Sequence, residues 1–165
     1  MNNIYSNIKK LNSKIQLKVI NILNNDGLIA LPTETVYGLA GNAYSKKAVK
    51  KIYKIKNRPK INPIIVHYLT LKDASKDVFF PKKLFKLYRY FCPGPITFIL
   101  KKKKYSNIDK LTTAGLDSVA VRFPKHKVLR KILRKINFPL AMPSANKSGK
   151  VSPTCAKHVY NQFGK

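Results

Sequence analysis

Short apolar runs alternate along this chain with segments in which apolar residues return every three or four positions, and that alternation limits the fold more than any other feature. A recurrence of three to four buries one face of a helix, whereas a short continuous run bounded by breakers suits a strand inside a sheet. Ile15, Val19, Ile22 and Leu23 predict a first helix behind a Ser13 cap, stopped at Asn25-Asp26-Gly27. Further helices are expected behind a Ser45 cap, with Ala48, Val49, Ile52 and Ile55, and from Pro81, with Leu84, Phe85, Tyr88 and Phe91. Another covers Val128, Leu129, Ile132, Leu133 and Ile136, and a last one begins at Pro153. Strands are expected at 28–31, 64–68, 96–100, 118–123 and 140–142, while Lys101 to Lys104 reads as a solvated loop. Strands interleaved with helices predict an α/β fold, with strand order and direction left open. Neither a repeat nor a linker divides the chain, and 165 residues with an apolar fraction of 44% suit one domain over 1–165.

No apolar run approaches the ~20 residues that span a bilayer, and the opening MNNIYSNIKKLNSK has no apolar stretch behind its charges. A soluble, cytoplasmic protein without a membrane partner is therefore expected. Cys92 and Cys155 lie in no CxxC or Cys/His ligand spacing, which argues against a zinc or redox centre; a disulfide between them stays open but is disfavoured in a reducing compartment. The net charge of +28 raises nucleic-acid binding, because clustered cations gain affinity by releasing counterions from phosphates. Yet 29 of the 34 cations are lysine and only 5 are arginine, in a background rich in Ile, Asn and Tyr, as AT-rich coding drift would produce. A solvated lysine surface and a weak RNA-binding patch both remain open readings.

Chemistry-bearing residues gather where strands end, the place at which α/β folds build sites. The run at 28–31 delivers Thr33-Glu34-Thr35, and Glu34 is the only glutamate in the chain; the segment reads either as part of a site or as a turn. In Lys56-Asn57-Arg58-Pro59-Lys60-Ile61-Asn62-Pro63, Arg58 offers a planar fork and Lys56 a point charge suited to polyphosphate, although Lys56 alone reads as surface charge. His67 lies inside an apolar run and is either a satisfied core histidine or a cavity wall. Alternation puts Arg122 on the strand face of Ser118 and Ala120, either outward or inward with an anionic partner. The segment from Met142 through Ser144, Asn146 and Ser152 to Thr154 packs hydroxyls, an amide and a glycine into a loop that can cradle a nucleotide, or is an ordinary serine-rich turn. No GxxxxGK[ST] loop is present.

Taken together and in this order, PTETVYGLA, KNRPKINPIIVHY, PGPITFIL, SVAVRFP and MPSANKSGKVSPT resemble the YrdC-like family of threonylcarbamoyl-AMP synthases. The resemblance implies a single twisted mixed sheet flanked by helices, with a basic concave pocket. It implies an enzyme, a nucleotidyltransferase that makes threonylcarbamoyl-AMP and pyrophosphate from L-threonine, bicarbonate and ATP, serving the tRNA threonylcarbamoyl-transfer machinery. By motif, Thr35, His67, Arg122 and Met142 resemble threonine-site residues, with Arg122 as the fork for the substrate carboxylate. Lys56, Arg58, Asn62, Ser118, Ser144, Asn146 and Ser152 resemble ATP-side contacts, and Lys56 and Arg58 are expected to act in catalysis. ATP is a substrate that brings magnesium; no metal ligand and no tightly bound cofactor are expected. The family's pattern continues beyond the stretch matched here, through a closing segment with further Ser and Arg contacts, so the chain reads as lacking the C-terminal portion. Two other readings are a non-catalytic RNA-binding module of the same fold and a carbamoyl-transfer relative from hydrogenase maturation.

Overall fold

The computed structural model describes residues 7–164; the first six residues, part of the opening read above for the absence of a leader, and Lys165 lie outside the described residues. Six strands form one sheet in the order β1-β2-β6-β3-β5-β4: β1 Ile29–Pro32, β2 Tyr37–Asn42, β3 Val66–His67, β4 Thr97–Lys101, β5 Ser118–Arg122 and β6 Leu140–Ala141. Only β3 and β5 run parallel; the other neighbours are antiparallel. The α/β class and the mixed sheet are as expected. The β2 strand was not legible in the sequence, because its YGLAGN stretch has two glycines and no β-branched residue.

Helix α1 spans Ser13–Asn24, and its cap is Asn12, whose Oδ1 accepts from the Ile15 amide, rather than Ser13. Helix α2, Lys46–Lys56, begins as expected at Ser45, whose Oγ accepts from the Ala48 amide. It ends where Asn57 turns left-handed at φ 51°, a conformation asparagine tolerates. Its buried stripe is Ala48, Val49, Ile52, Tyr53 and Lys56, whereas Ile55, assigned to the apolar face above, is 45% exposed. One turn, α3 (Leu71–Ala74), precedes the 3-10 turn Lys82–Leu84 that leads from Pro81 into α4, Phe85–Phe91. Helix α5 spans Lys127–Leu133, and α6, Ala156–Phe163, starts three residues after Pro153. Lys101 ends β4 and Lys102 forms an isolated bridge to Val78, so the first half of the lysine run is paired backbone rather than a free loop.

Apolar groups cover both faces. Val49, Ile52, Val66, Phe98, Leu100, Val119 and Val121 form the larger core on one side. Val19, Leu23, Leu31, Ala40, Leu129, Ile132 and Leu140 pack α1 and α5 on the other. Each buried aliphatic side chain contributes on the order of 1.5 to 3 kcal/mol, so these clusters hold the sheet in place. Asp77, 1% exposed, ties the larger core together by accepting from the Tyr44 and Tyr68 hydroxyls at 2.7 and 2.9 Å, the Ser106 hydroxyl and the Asn107 amide. Among the described residues no helix is long and apolar enough to cross a membrane.

Candidate active site

The turn between β1 and β2 is closed by Thr33, whose hydroxyl donates to the Val36 carbonyl at 2.6 Å and accepts from the Thr35 and Val36 amides. This turn presents Glu34 and Thr35 to the end of β5. There Arg122 donates from Nη2 and Nε to Glu34 Oε1 at 2.8 and 3.3 Å, and from Nη2 to Thr35 Oγ1 at 3.1 Å. The arginine is thus inward-facing with an anionic partner, as one of the two readings of the strand required. Glu34 Oε2 accepts from the Lys125 and His126 amides ahead of α5. Burial opposes ionisation of Glu34, but the Arg122 hydrogen bond, the backbone amides and the Arg122 charge outweigh it and hold the carboxyl below its ordinary range. Glu34 was singled out in the sequence without a role in the site; the signal was its rarity.

His67 pairs in register with Arg122 across the parallel β3–β5 ladder and is 2% exposed. Its Nδ1 has no hydrogen-bond partner among the described residues. Burial, helped by the Arg122 charge, pushes the imidazole down to about 3, so the ring is neutral at physiological pH. The backbone groups of Ile65 and Leu140 are the ring's polar neighbours, and the register with Arg122 puts the imidazole on the same sheet face as the guanidinium.

Lys56 is 1% exposed, which overturns its reading as surface charge. Its ammonium donates to the carbonyls of Ser144 and Asn146, and its own carbonyl accepts from the Ser148 amide at 2.8 Å. The end of α2 is thereby stapled to the loop after β6. Burial, with the nearby Arg58 charge, lowers the Lys56 ammonium to about 8. Arg58 folds back on its own loop, donating from Nε to the Asn62 carbonyl and from Nη2 to the Pro63 carbonyl at 3.1 and 2.9 Å. It lines a concavity of about 500 Å³ whose other walls are Lys46, Lys50, Lys54, Lys60, Tyr53 and Leu111. Arg122, His67 and Ser144 are not among those walls.

The remaining residues fall in two places. Ser118 shares a face with Arg122, since Lys101–Ser118, Ile99–Ala120 and Thr97–Arg122 are register pairs. That face is covered at Arg122, which is 9% exposed, and opens toward the β4 edge, where Ile99 is 69% exposed; Phe98, Leu100, Val119 and Val121 fill the core behind it. Ser144 pairs with Gly38, and Asn146 donates from Nδ2 to the Lys147 and Lys150 carbonyls, leaving Oδ1 without a partner among the described residues. Ser152 is half-buried in the same loop, Asn62 is exposed, and Thr35 is exposed at the turn. Met142 is 3% exposed, and its side chain packs under Gly38 in the core. Among the described residues no three His, Cys, Asp or Glu side chains gather as metal ligands would.

The model of the Sua5/YciO/YrdC family, described as telomere recombination, matches residues 21–165. The chain belongs to this family. A threonylcarbamoyl-AMP synthase of Pyrococcus abyssi is 44% identical over 139 residues, which cover 82% of this chain and 40% of that protein. One from Bacillus subtilis is 45% identical over 141 residues, 84% of this chain and 40% of that protein. The family chain described here therefore spans about 40% of the length of these two curated relatives. Its fold superimposes on that of P. abyssi Sua5 complexed with L-threonine at a TM-score of 0.89 and 38% identity, covering 94% of this chain and 45% of that one.

Proposed function

We propose that this chain carries the threonylcarbamoyl-AMP synthase activity, joining L-threonine, bicarbonate and ATP into threonylcarbamoyl-AMP and pyrophosphate for the threonylcarbamoyladenosine modification of tRNA. The observation that carries the reading is Arg122, in register with buried His67 across the β3–β5 ladder and donating to the Thr35 hydroxyl. A cation next to a hydroxyl and a neutral imidazole suits an amino acid bearing a carboxylate and a hydroxyl. The P. abyssi relative crystallised with L-threonine supports the same choice.

The threonine nitrogen attacks bicarbonate, water departs, and a carbamate oxygen then attacks the α-phosphorus of ATP as pyrophosphate leaves with the bonding electrons. Negative charge is carried by the oxygens around that phosphorus and grows on the leaving pyrophosphate, and fixed cations and N–H donors nearby lower the barrier. We assign Arg58 and Lys56 to this side, Lys56 chiefly by holding the loop that carries Ser144 and Asn146, with Asn62, Ser118 and Ser152 as further nucleotide contacts. Magnesium enters with ATP, and no residue is assigned to it. A non-catalytic RNA-binding module needs surface lysines alone and leaves the buried imidazole and its arginine neighbour without a role.

The test is pyrophosphate release from ATP with and without threonine and bicarbonate, with threonylcarbamoyl-AMP followed by mass spectrometry. Release that depends on both co-substrates is expected. Valine, which lacks the hydroxyl, is expected to bind at least about tenfold more weakly than threonine, because it leaves the pocket's polar groups unpaired. Equal binding of valine and threonine would remove Thr35 and His67 from the pocket.

A further inference from the structure

A guanidinium carries five N–H donors in one plane, one on Nε and two on each terminal nitrogen. In Arg122 the Nε hydrogen and one Nη2 hydrogen go to Glu34 Oε1, and the other Nη2 donation goes to Thr35 Oγ1. Nη1 has no hydrogen-bond partner among the described residues. The Nε–Nη2 edge, which would form a fork with a substrate carboxylate, is thus already taken inside the protein. Glu34 cannot easily release it, since its Oε2 holds the Lys125 and His126 amides at 3.0 and 3.2 Å, and a swing outward would strand both.

We infer that Glu34 is the positioning residue of the amino-acid pocket: it clamps the Nε–Nη2 edge of Arg122 and presents Nη1 as the donor to a substrate carboxylate. The inference rests on the reading of Arg122 as the carboxylate-binding residue. Arg122 is then a pre-oriented single-nitrogen donor rather than a free fork, and its rotamer is set before substrate arrives. Only a carboxylate of this length fits the task. Both oxygens must accept, one from the guanidinium and one from two amides, so glutamine would turn an NH2 group toward donors on one side or the other. Aspartate, a methylene shorter, cannot span the two sets of donors without moving the turn.

The chain has only 5 arginines, so the Nε–H signal of Arg122 can be assigned by NMR through an Arg122→Lys spectrum. In the unsubstituted protein this signal is expected to be protected from solvent exchange. Glu34→Gln should make it exchange rapidly, raise the threonine Kd about tenfold in calorimetry with ATP present, and leave the ATP Kd within about twofold. An unchanged Arg122 signal in Glu34→Gln overturns the inference, as does a changed signal with an unchanged threonine Kd. If the signal loses protection but the unsubstituted protein binds no threonine, the clamp stands and the reading of the pocket falls. Should Glu34→Gln lose its dispersed spectrum, Glu34→Asp, which keeps the charge and shortens the reach, is read by the same signals with the same outcomes.

Discussion

The ammonium of Lys56, at the last residue of α2, donates to the carbonyl of Ser144 at 2.5 Å and to that of Asn146, joining a helix end to a loop nearly ninety positions later in the chain. Replacing Lys56 with methionine keeps much of the volume but leaves two carbonyls buried without donors. A charge-assisted hydrogen bond contributes ~1.5 to 3 kcal/mol, so Lys56→Met is expected to lower the unfolding free energy by about 2 to 4 kcal/mol and to reduce turnover with it. Urea unfolding measures the first quantity. An unaltered midpoint would mean that the loop carbonyls find other donors.

His67 predicts an acid-side loss of stability. Its folded value is depressed to about 3 against an ordinary 6.5, so the unfolded chain binds the extra proton first. The favourable contribution of the neutral ring is fully present above about pH 6.5 and declines as pH falls toward about 3. At pH 5 the single group costs about 2 kcal/mol relative to pH 7. Thermal or urea unfolding at the two pH values should show this drop, and His67→Gln should remove most of it. Glu34 adds little to the comparison of pH 5 with pH 7, because the contribution of its depressed carboxyl is lost mainly as pH falls below its ordinary value of 4.5.

Gly38 and Met142 form a coupled pair. A Cβ at position 38 would lie 2.4 Å from Met142 Cγ and 2.9 Å from Sδ, closer than atoms can sit. Gly38→Ala is therefore expected to destabilise by about 1 to 3 kcal/mol, the usual cost of overpacking. Trimming the neighbour should relieve it: in a double-mutant cycle, Gly38→Ala with Met142→Ala should cost clearly less than the sum of the single changes. Additive costs would place the strain elsewhere.

Arg58 braces the loop that follows α2 by bonding the Asn62 and Pro63 carbonyls, and it faces the basic concavity. Arg58→Ala is expected to weaken ATP binding or turnover at least about tenfold in pyrophosphate release. Lys14→Ala, at an exposed position on α1, should be nearly neutral. Similar small effects from both would move the phosphate contacts away from this loop.

Local patterning in the sequence was enough for the α/β class, for α2 and its Ser45 cap, for which residues of β5 share a face, and for the motifs that mark the family. These depend on propensity, side-chain period and capping, which act within a few residues. Lys56 continues the helical spacing of Val49, Ile52 and Tyr53, but the sequence reading put Ile55 on the apolar face, and a lysine among so many others read as surface charge. Only the tertiary structure decided that β2 is a strand, since a glycine-rich segment becomes one by pairing with β1 and β6 rather than by its own preference. Tertiary structure alone also brought Glu34 onto Arg122, left the His67 Nδ1 without a partner, and turned the Met142 side chain into the core. Such contacts join residues far apart in the chain, and their existence depends on strand order and register, which no local pattern encodes.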